Sequence, residues 1–108
     1  MAEFIIQQSV RGQYYYTFRG GNHEIVLTGE EHTTKQSCQG SIASVQVNAA
    51  RGERYTRWKT GDQYYFNLKA TNGEKLGTGE AYTTEAAREN GISVVNRDAP
   101  TAPVEDRS

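Results

Sequence analysis

The chain has 108 residues, 35% of them hydrophobic, with seven Tyr, eleven Gly and only two Pro, and a formal net charge of −1. This is one domain's length with a thin core, in a composition that favours strands and tight turns over a helical bundle. Interspersed charges give no basic patch, which argues against nucleic acid as a partner, and the lone Cys38 excludes an internal disulfide or a thiolate metal cluster.

In chain order, "MAEFIIQQ" lacks the basic start and long apolar run of a signal peptide, and "FIIQQ" reads as an opening strand. No stretch approaches the roughly 20 apolar residues of a membrane span. A cytoplasmic protein without membrane contact is the expectation. Next, Tyr14, Tyr16 and Phe18 alternate with Gln13, Tyr15, Thr17 and Arg19, so period two makes a strand with one more apolar face. A turn at Asn22-His23, eased by Gly20 and Gly21, leads into "EIVLTGE" as the returning strand. Its register puts Val26 on the buried face and points Ile25 and Leu27 the other way. Thr33 with Gln36 has the form of a capping box. It opens a helix of about two turns that stops at Gly40. "ASVQV" then reads as a short last strand.

The same grammar begins again at "YTRWK". Gln13, Tyr14, Tyr15, Asn22, Glu24, Thr28, Gly29, Glu30, Thr33, Thr34, Ile42, Val45 and Ala49 all recur fifty positions later, without a gap. In this copy Tyr64, Phe66 and Leu68 alternate with Gln63, Tyr65, Asn67 and Lys69. Asn72-Gly73 marks a two-residue hairpin of the primed type. Leu76 takes the buried place of Val26. "TTEAARENG" is a helix with a Thr cap, an acidic first turn and a stop at Asn90-Gly91, and "SVVN" is a last strand. The unit is β-β-β-α-β used twice, residues 1–49 and 53–99, in one domain spanning 1–99. "NAARGE" is too short to separate two domains. One sheet from both halves, with both short helices on one face, is the α+β architecture expected. The polar, Pro-bearing tail, 100–108, is expected to fray.

The stretch "YYFNLKATNGEKLGTGEAYTTEAARENGISVV" carries a specific resemblance. The chain is similar, over residues 4–99, to the YegP-like family of small bacterial proteins, a domain of unknown function. The resemblance implies two tandem β(3)-α-β repeats forming one antiparallel sheet with exchange of the last strands, and members with one repeat reaching the same arrangement as dimers. It implies no activity. The family tends to carry Ser where Gly29 and Gly79 stand, and a turn Gly where His23 stands.

The face away from the helices is the candidate ligand surface, with Tyr15, Tyr65, Ile25, Leu27, Arg19 and Lys69 as its binding residues. Paired tyrosines offer contact area at low entropic cost, although such a face also serves simply to stabilise a half-wet sheet. Glu30 and Glu80 are duplicated carboxylates that would do acid–base work if about 5–10 Å apart. Placed before helices, they fit a structural role at the positive helix end better. His23 and His32 match no metal spacing. Cys38 sits too late in its helix to be activated and reads as a small apolar filler. No phosphate-loop, dinucleotide or nucleophile-elbow motif is present, and "PTAP" in the tail is too short to weigh. No catalytic, cofactor-binding or metal residue is assigned. The leading reading is a non-enzymatic binding or interaction module of unknown ligand, as a monomer built from two repeats or a weak homodimer. The alternatives are an enzyme using Glu30 or Glu80, with His32, on a small polar substrate, and a weak single-stranded nucleic-acid binder.

Overall fold

The alternating stretches fold as strands and the Thr-capped stretches as helices. Their order is β1 (Glu3–Gln8), β2 (Tyr14–Arg19), β3 (Ile25–Gly29), α1 (Lys35–Asn48), β4 (Tyr55–Thr60), β5 (Gln63–Lys69), β6 (Lys75–Gly79), α2 (Glu85–Asp98) and β7 (Val104–Asp106). A computed structural model describes all 108 residues. The strands form one sheet in the order β4-β5-β6-β3-β2-β1-β7. Its centre is the antiparallel pair β3 and β6, where Thr28 lies opposite Thr78, Leu27 opposite Gly79 and Gly29 opposite Gly77. The repeats are therefore related by a pseudo-twofold axis between Thr28 and Thr78, and both contribute strands to one continuous sheet.

Both helices pack on one face and straddle the seam. Helix α1 touches β2, β5 and β6, and α2 touches β3 and β5. Between helices and sheet lies one cluster that includes Phe4, Ile6, Tyr16, Phe18, Phe66 and Leu68 beneath Cys38, Ile42, Val45, Ile92 and Val95. The α+β class, the duplication and the single two-helix sheet read from the sequence are all present.

Several finer expectations are corrected. The helices have 14 residues each and run through Gly40 and Asn90-Gly91, absorbing the segments expected as last strands. Cys38, Ile42 and Val45 recur at helical spacing on the buried face, and Ile92 and Val95 do so in α2. Their docking offsets the roughly 1 kcal/mol that an internal glycine costs. Gly91 answers a packing need: a Cβ there would stand 2.3 Å from the Tyr82 hydroxyl. No exchange therefore runs through residues 43–47 or 93–96.

The element that does cross from the second repeat to the outer strand of the first is β7, inside the tail expected to fray. It pairs parallel with β1, so the sheet is mixed and not wholly antiparallel. The Phe4 N–H donates to the Pro103 carbonyl and the Arg107 N–H to the Ile6 carbonyl, each at 2.8 Å.

The caps are one residue later than Thr33: Thr34 and Thr84 accept from Ser37 N–H and Ala87 N–H at 3.1 and 3.0 Å. The hairpin at Asn72-Gly73 has three loop residues, 71–73. The Gly73 N–H donates to Ala70 C=O, the Ala70 N–H donates to Glu74 C=O, and Gly73 is left-handed at φ +85°. This is a three-residue hairpin loop whose last residue is left-handed. Residues 21–23 repeat it, with His23 at φ 68°.

Leu27 is corrected too. Phe18 pairs with Leu27 but Arg19 pairs with Ile25, so β3 bulges by one residue at Val26. The bulge breaks the alternation and turns both Val26 and Leu27 into the core. A strict period of two would have sent Leu27 to the opposite face.

Candidate binding surface

The registers place one residue from each strand in a row across the open face: Thr56, Asn67, Thr78, Thr28, Thr17, Ile5 and Glu105. Five of the seven carry a hydroxyl or an amide. The Thr78 hydroxyl donates to Asn67 Oδ1 at 3.0 Å. Thr17 Oγ1 and Arg19 Nε are buried on this side of the molecule without a hydrogen-bond partner. Ile5 is fully buried yet lies outside the main core, on the open face between Thr17 and Glu105.

The candidate tyrosines do not form one pair. Tyr15 lies opposite Gln7 on β1, and Tyr65 opposite Trp58 on β4. Strands β3 and β6 stand between them, so three strand spacings separate the two by about 14 Å. Tyr65 instead stacks on Trp58, ring centroids 5.4 Å apart and planes 10° from parallel. Its hydroxyl donates to Gln63 Oε1 at 2.9 Å. Ile25 faces Arg19 across β2 and β3, and Lys69 faces Lys75 in the other half. Leu27 is absent from this face altogether.

Trp58 was missed by the sequence reading. Its strand slips by one residue against the first repeat, because five residues separate Gln8 from Tyr14 but four separate Lys59 from Tyr64. The alternation Thr56, Trp58, Thr60 was the available signal.

Two grooves related by the pseudo-twofold axis lie where a hairpin of one repeat meets the helix of the other. One, of about 260 Å³, is lined by Glu30, His32, Ser37 and Ser41 with Asn72 and Lys75. The other, of about 310 Å³, has Glu80, Tyr82, Gly91 and Arg97 with Asn22 and Glu24. Glu30 pairs with Lys75 at 3.2 Å. The Ser37 hydroxyl bonds His32 Nδ1 at 2.9 Å, and His32 Nε2 is buried without a partner. Glu30 and Glu80 sit at opposite ends of the β3–β6 ladder, about 14 Å apart by strand geometry. That exceeds the reach of a carboxylate pair, so they share no site.

A further charged cluster links β4 to α2. Arg88 lies buried over the Tyr64 ring and pairs with Glu85 and Glu89, and Arg57 of β4 pairs with Glu89 at 2.9 Å. The hydrogen bond from Arg57, with help from Arg88, holds the Glu89 carboxyl below its ordinary range. Burial pushes the Cys38 thiol up, away from the reactive thiolate. No three His, Cys, Asp or Glu side chains gather as a metal cluster. No helix is long and apolar enough to cross a membrane.

Comparison with known proteins fits this geometry. A family model described as a domain of unknown function, DUF1508, matches twice, at residues 9–55 and 60–106. A UPF0339 protein of Bordetella pertussis is 44% identical over 109 positions, covering 100% of this chain and 98% of its own. The UPF0339 protein YegP of Escherichia coli K12 is 37% identical over 54 residues, about half of each chain. Among solved structures, the solution structure of a UPF0339 protein from Shewanella oneidensis superposes with a TM-score of 0.92 at 35% identity, covering 97% of this chain and 90% of that one. That of yegP from E. coli, named there as a protein of unknown function, gives 0.92 at 34% identity, covering 98% and 92%. The relatives are bacterial and carry no assigned activity. On these matches and on its own pseudo-symmetric sheet, the chain belongs to the DUF1508 family, of which it holds two tandem copies.

Proposed function

We propose that this protein is a non-enzymatic binding module, acting in the cytoplasm, whose ligand lies across the open face of the sheet. The observation that carries this reading is the stacked Trp58–Tyr65 pair on a face that no helix covers. Beside it runs the row of hydroxyl and amide side chains from Thr56 to Thr17. A ligand with a planar or ring face for the aromatic pair and polar groups for the row meets that chemistry. Tyr15, Arg19 and Ile25 extend the surface on the first repeat, with Lys69 on the second.

Trp58 is the sole tryptophan, so its emission reports occupancy directly. Oligosaccharides, mixed single-stranded oligonucleotides and peptides are to be titrated against the protein and against Tyr65→Ser and Tyr15→Ser. One ligand class is expected to shift the emission saturably, with binding weakened about tenfold or more by Tyr65→Ser and less by Tyr15→Ser. Equal responses of wild type and both variants to every class would defeat the proposal.

A further inference from the structure

The two ends of the sheet are built alike and finished differently. In β1, Phe4 and Ile6 lie opposite Phe18 and Tyr16; in β4, Tyr55 and Arg57 lie opposite Leu68 and Phe66, the second-repeat equivalents. On β1 the outward backbone groups are taken, Phe4 N–H by Pro103 and Ile6 C=O by Arg107, because β7 lies alongside in parallel. On β4 the only ladder is to β5, and residues 56–60 are all exposed. The outward N–H and C=O groups of Arg57 and Lys59 have no protein partner.

We propose that β4 is a docking edge for an extended acidic peptide of a partner protein, which adds to it in parallel as β7 adds to β1. The internal strand supplies the template. In β7, Asp106 lies beside Ile6 and is paired with Lys35 of α1 at 2.9 Å. The residue of an added strand at the matching place would lie beside Arg57, with Lys59 two positions on. Glu85 stands at the place of Lys35 in α2 and is engaged by Arg88, so here the cations are those of β4 itself. An acidic side chain meets Arg57, which it shares with Glu89, and Lys59, both flanking the free backbone groups. Ladder bonds and charge thus act together. The same cations decide against a second copy as the occupant. Antiparallel pairing of β4 with itself sets Arg57 and Lys59 against their own like charges, which destabilises a strand pair and guards an edge from self-association.

The probe is the free peptide PTAPVEDRS, the sequence of residues 100–108, titrated into the full chain, with PTAPVKKRS as its charge-reversed control. The acidic peptide is expected to shift Trp58 emission saturably and to move the amide resonances of residues 56–60. Added salt should weaken it and the lysine peptide should not bind. Lys59→Glu, which leaves the Arg57–Glu89 pair in place, is expected to weaken binding about threefold, and Arg57→Glu with Lys59→Glu about tenfold. The double variant should bind the lysine peptide. Retained amide dispersion in both variants separates loss of docking from loss of fold. Absence of any shift on residues 56–60 at millimolar peptide overturns the proposal. So do shifts confined to β1, which would mean displacement of β7, and a dimer of the free protein that the double variant abolishes.

Discussion

The Tyr16 hydroxyl donates to the Leu76 carbonyl at 2.8 Å, a buried bond from β2 of the first repeat to β6 of the second. Its counterpart Phe66 has no hydroxyl, so the cross-seam bond exists on one side only. Burial pushes the Tyr16 hydroxyl well above the ordinary tyrosine range, keeping it a neutral donor across the whole working pH span. Removing it leaves a buried carbonyl without this partner. Tyr16→Phe is expected to cost about 1–2 kcal/mol, or roughly 4–10 °C in Tm for a domain of this size. An unchanged unfolding midpoint in denaturant would show that the bond contributes nothing.

Leu27 and Gly77 are equivalent positions that meet across the axis. A Cβ on Gly77 would lie 2.8 Å from Leu27 Cγ and 2.7 Å from the Tyr16 hydroxyl. Two large side chains do not fit at one axis, so the repeats had to differ here. Gly77→Ala is expected to destabilise by about 1–3 kcal/mol and Leu27→Ala by about 2–5 kcal/mol. Combined, they should cost about 0.5–3 kcal/mol less than their sum, since the shortened residue 27 makes room for the new methyl. Simple additivity in a double-mutant cycle would refute the contact.

Gly29 and Gly79 lie under aromatic rings. A Cβ would stand 2.1 Å from Tyr16 Cε2 at the one and from Phe66 Cε2 at the other. These rings are central to the core, so either Gly→Ala change should cost at least about 1–3 kcal/mol through displaced packing. The relief test is Gly79→Ala with Phe66→Leu, which should lose less than the two changes separately. Thermal unfolding of the four proteins decides it.

The duplication was legible because identical residues at constant spacing survive without knowledge of geometry. The strand alternation of β2 and β5 was legible for the same local reason. What failed needed information that no local window holds. The bulge at Val26 inverted Leu27, which strict alternation assigns to the open face although it sits in the core at the crowded axis beside Gly77. Helix lengths failed because Gly40 and Gly91 carry a stop signal that tertiary docking overrides. Of the candidate surface, Tyr65 kept its face, but its true neighbour Trp58 was hidden by the one-residue slip of β4.

His23 adopts φ 68° where its counterpart Gly73 has φ +85°, and both turns carry the same hydrogen bonds. A residue with a Cβ is strained in this region by about 1–2 kcal/mol, partly offset by the extra entropy glycine has when unfolded. His23→Gly is therefore expected to stabilise by about 0.5–1 kcal/mol, and Gly73→Ala to destabilise by a similar amount. Opposite signs in urea unfolding would sink the strain argument. The Ser37–His32 contact in the other groove provides the control, because His32→Gln should not mimic the effect of His23→Gly.

The tail strand is the part of the sheet most exposed to pH. Asp106 accepts from the Ser108 hydroxyl at 2.6 Å and from Lys35 Nζ at 2.9 Å. Those bonds, the Ser108 contact foremost, hold its carboxyl down at about 2. A carboxyl depressed in the docked state contributes above its ordinary value of 3.8 and loses that contribution as pH falls towards 2. Docking of β7 should thus loosen between about pH 4 and pH 2. In that window the amide resonances of residues 104–107 should drift towards random-coil positions before those of β5 and β6 move. Because both partners are exposed, added salt should reproduce part of the effect at neutral pH. Asp106→Asn should loosen the strand at pH 7 and leave little further change down to pH 3. If residues 104–107 keep their dispersion to pH 2, or lose it only together with the central strands, the tail is held by its backbone ladder alone and the ion pair is incidental.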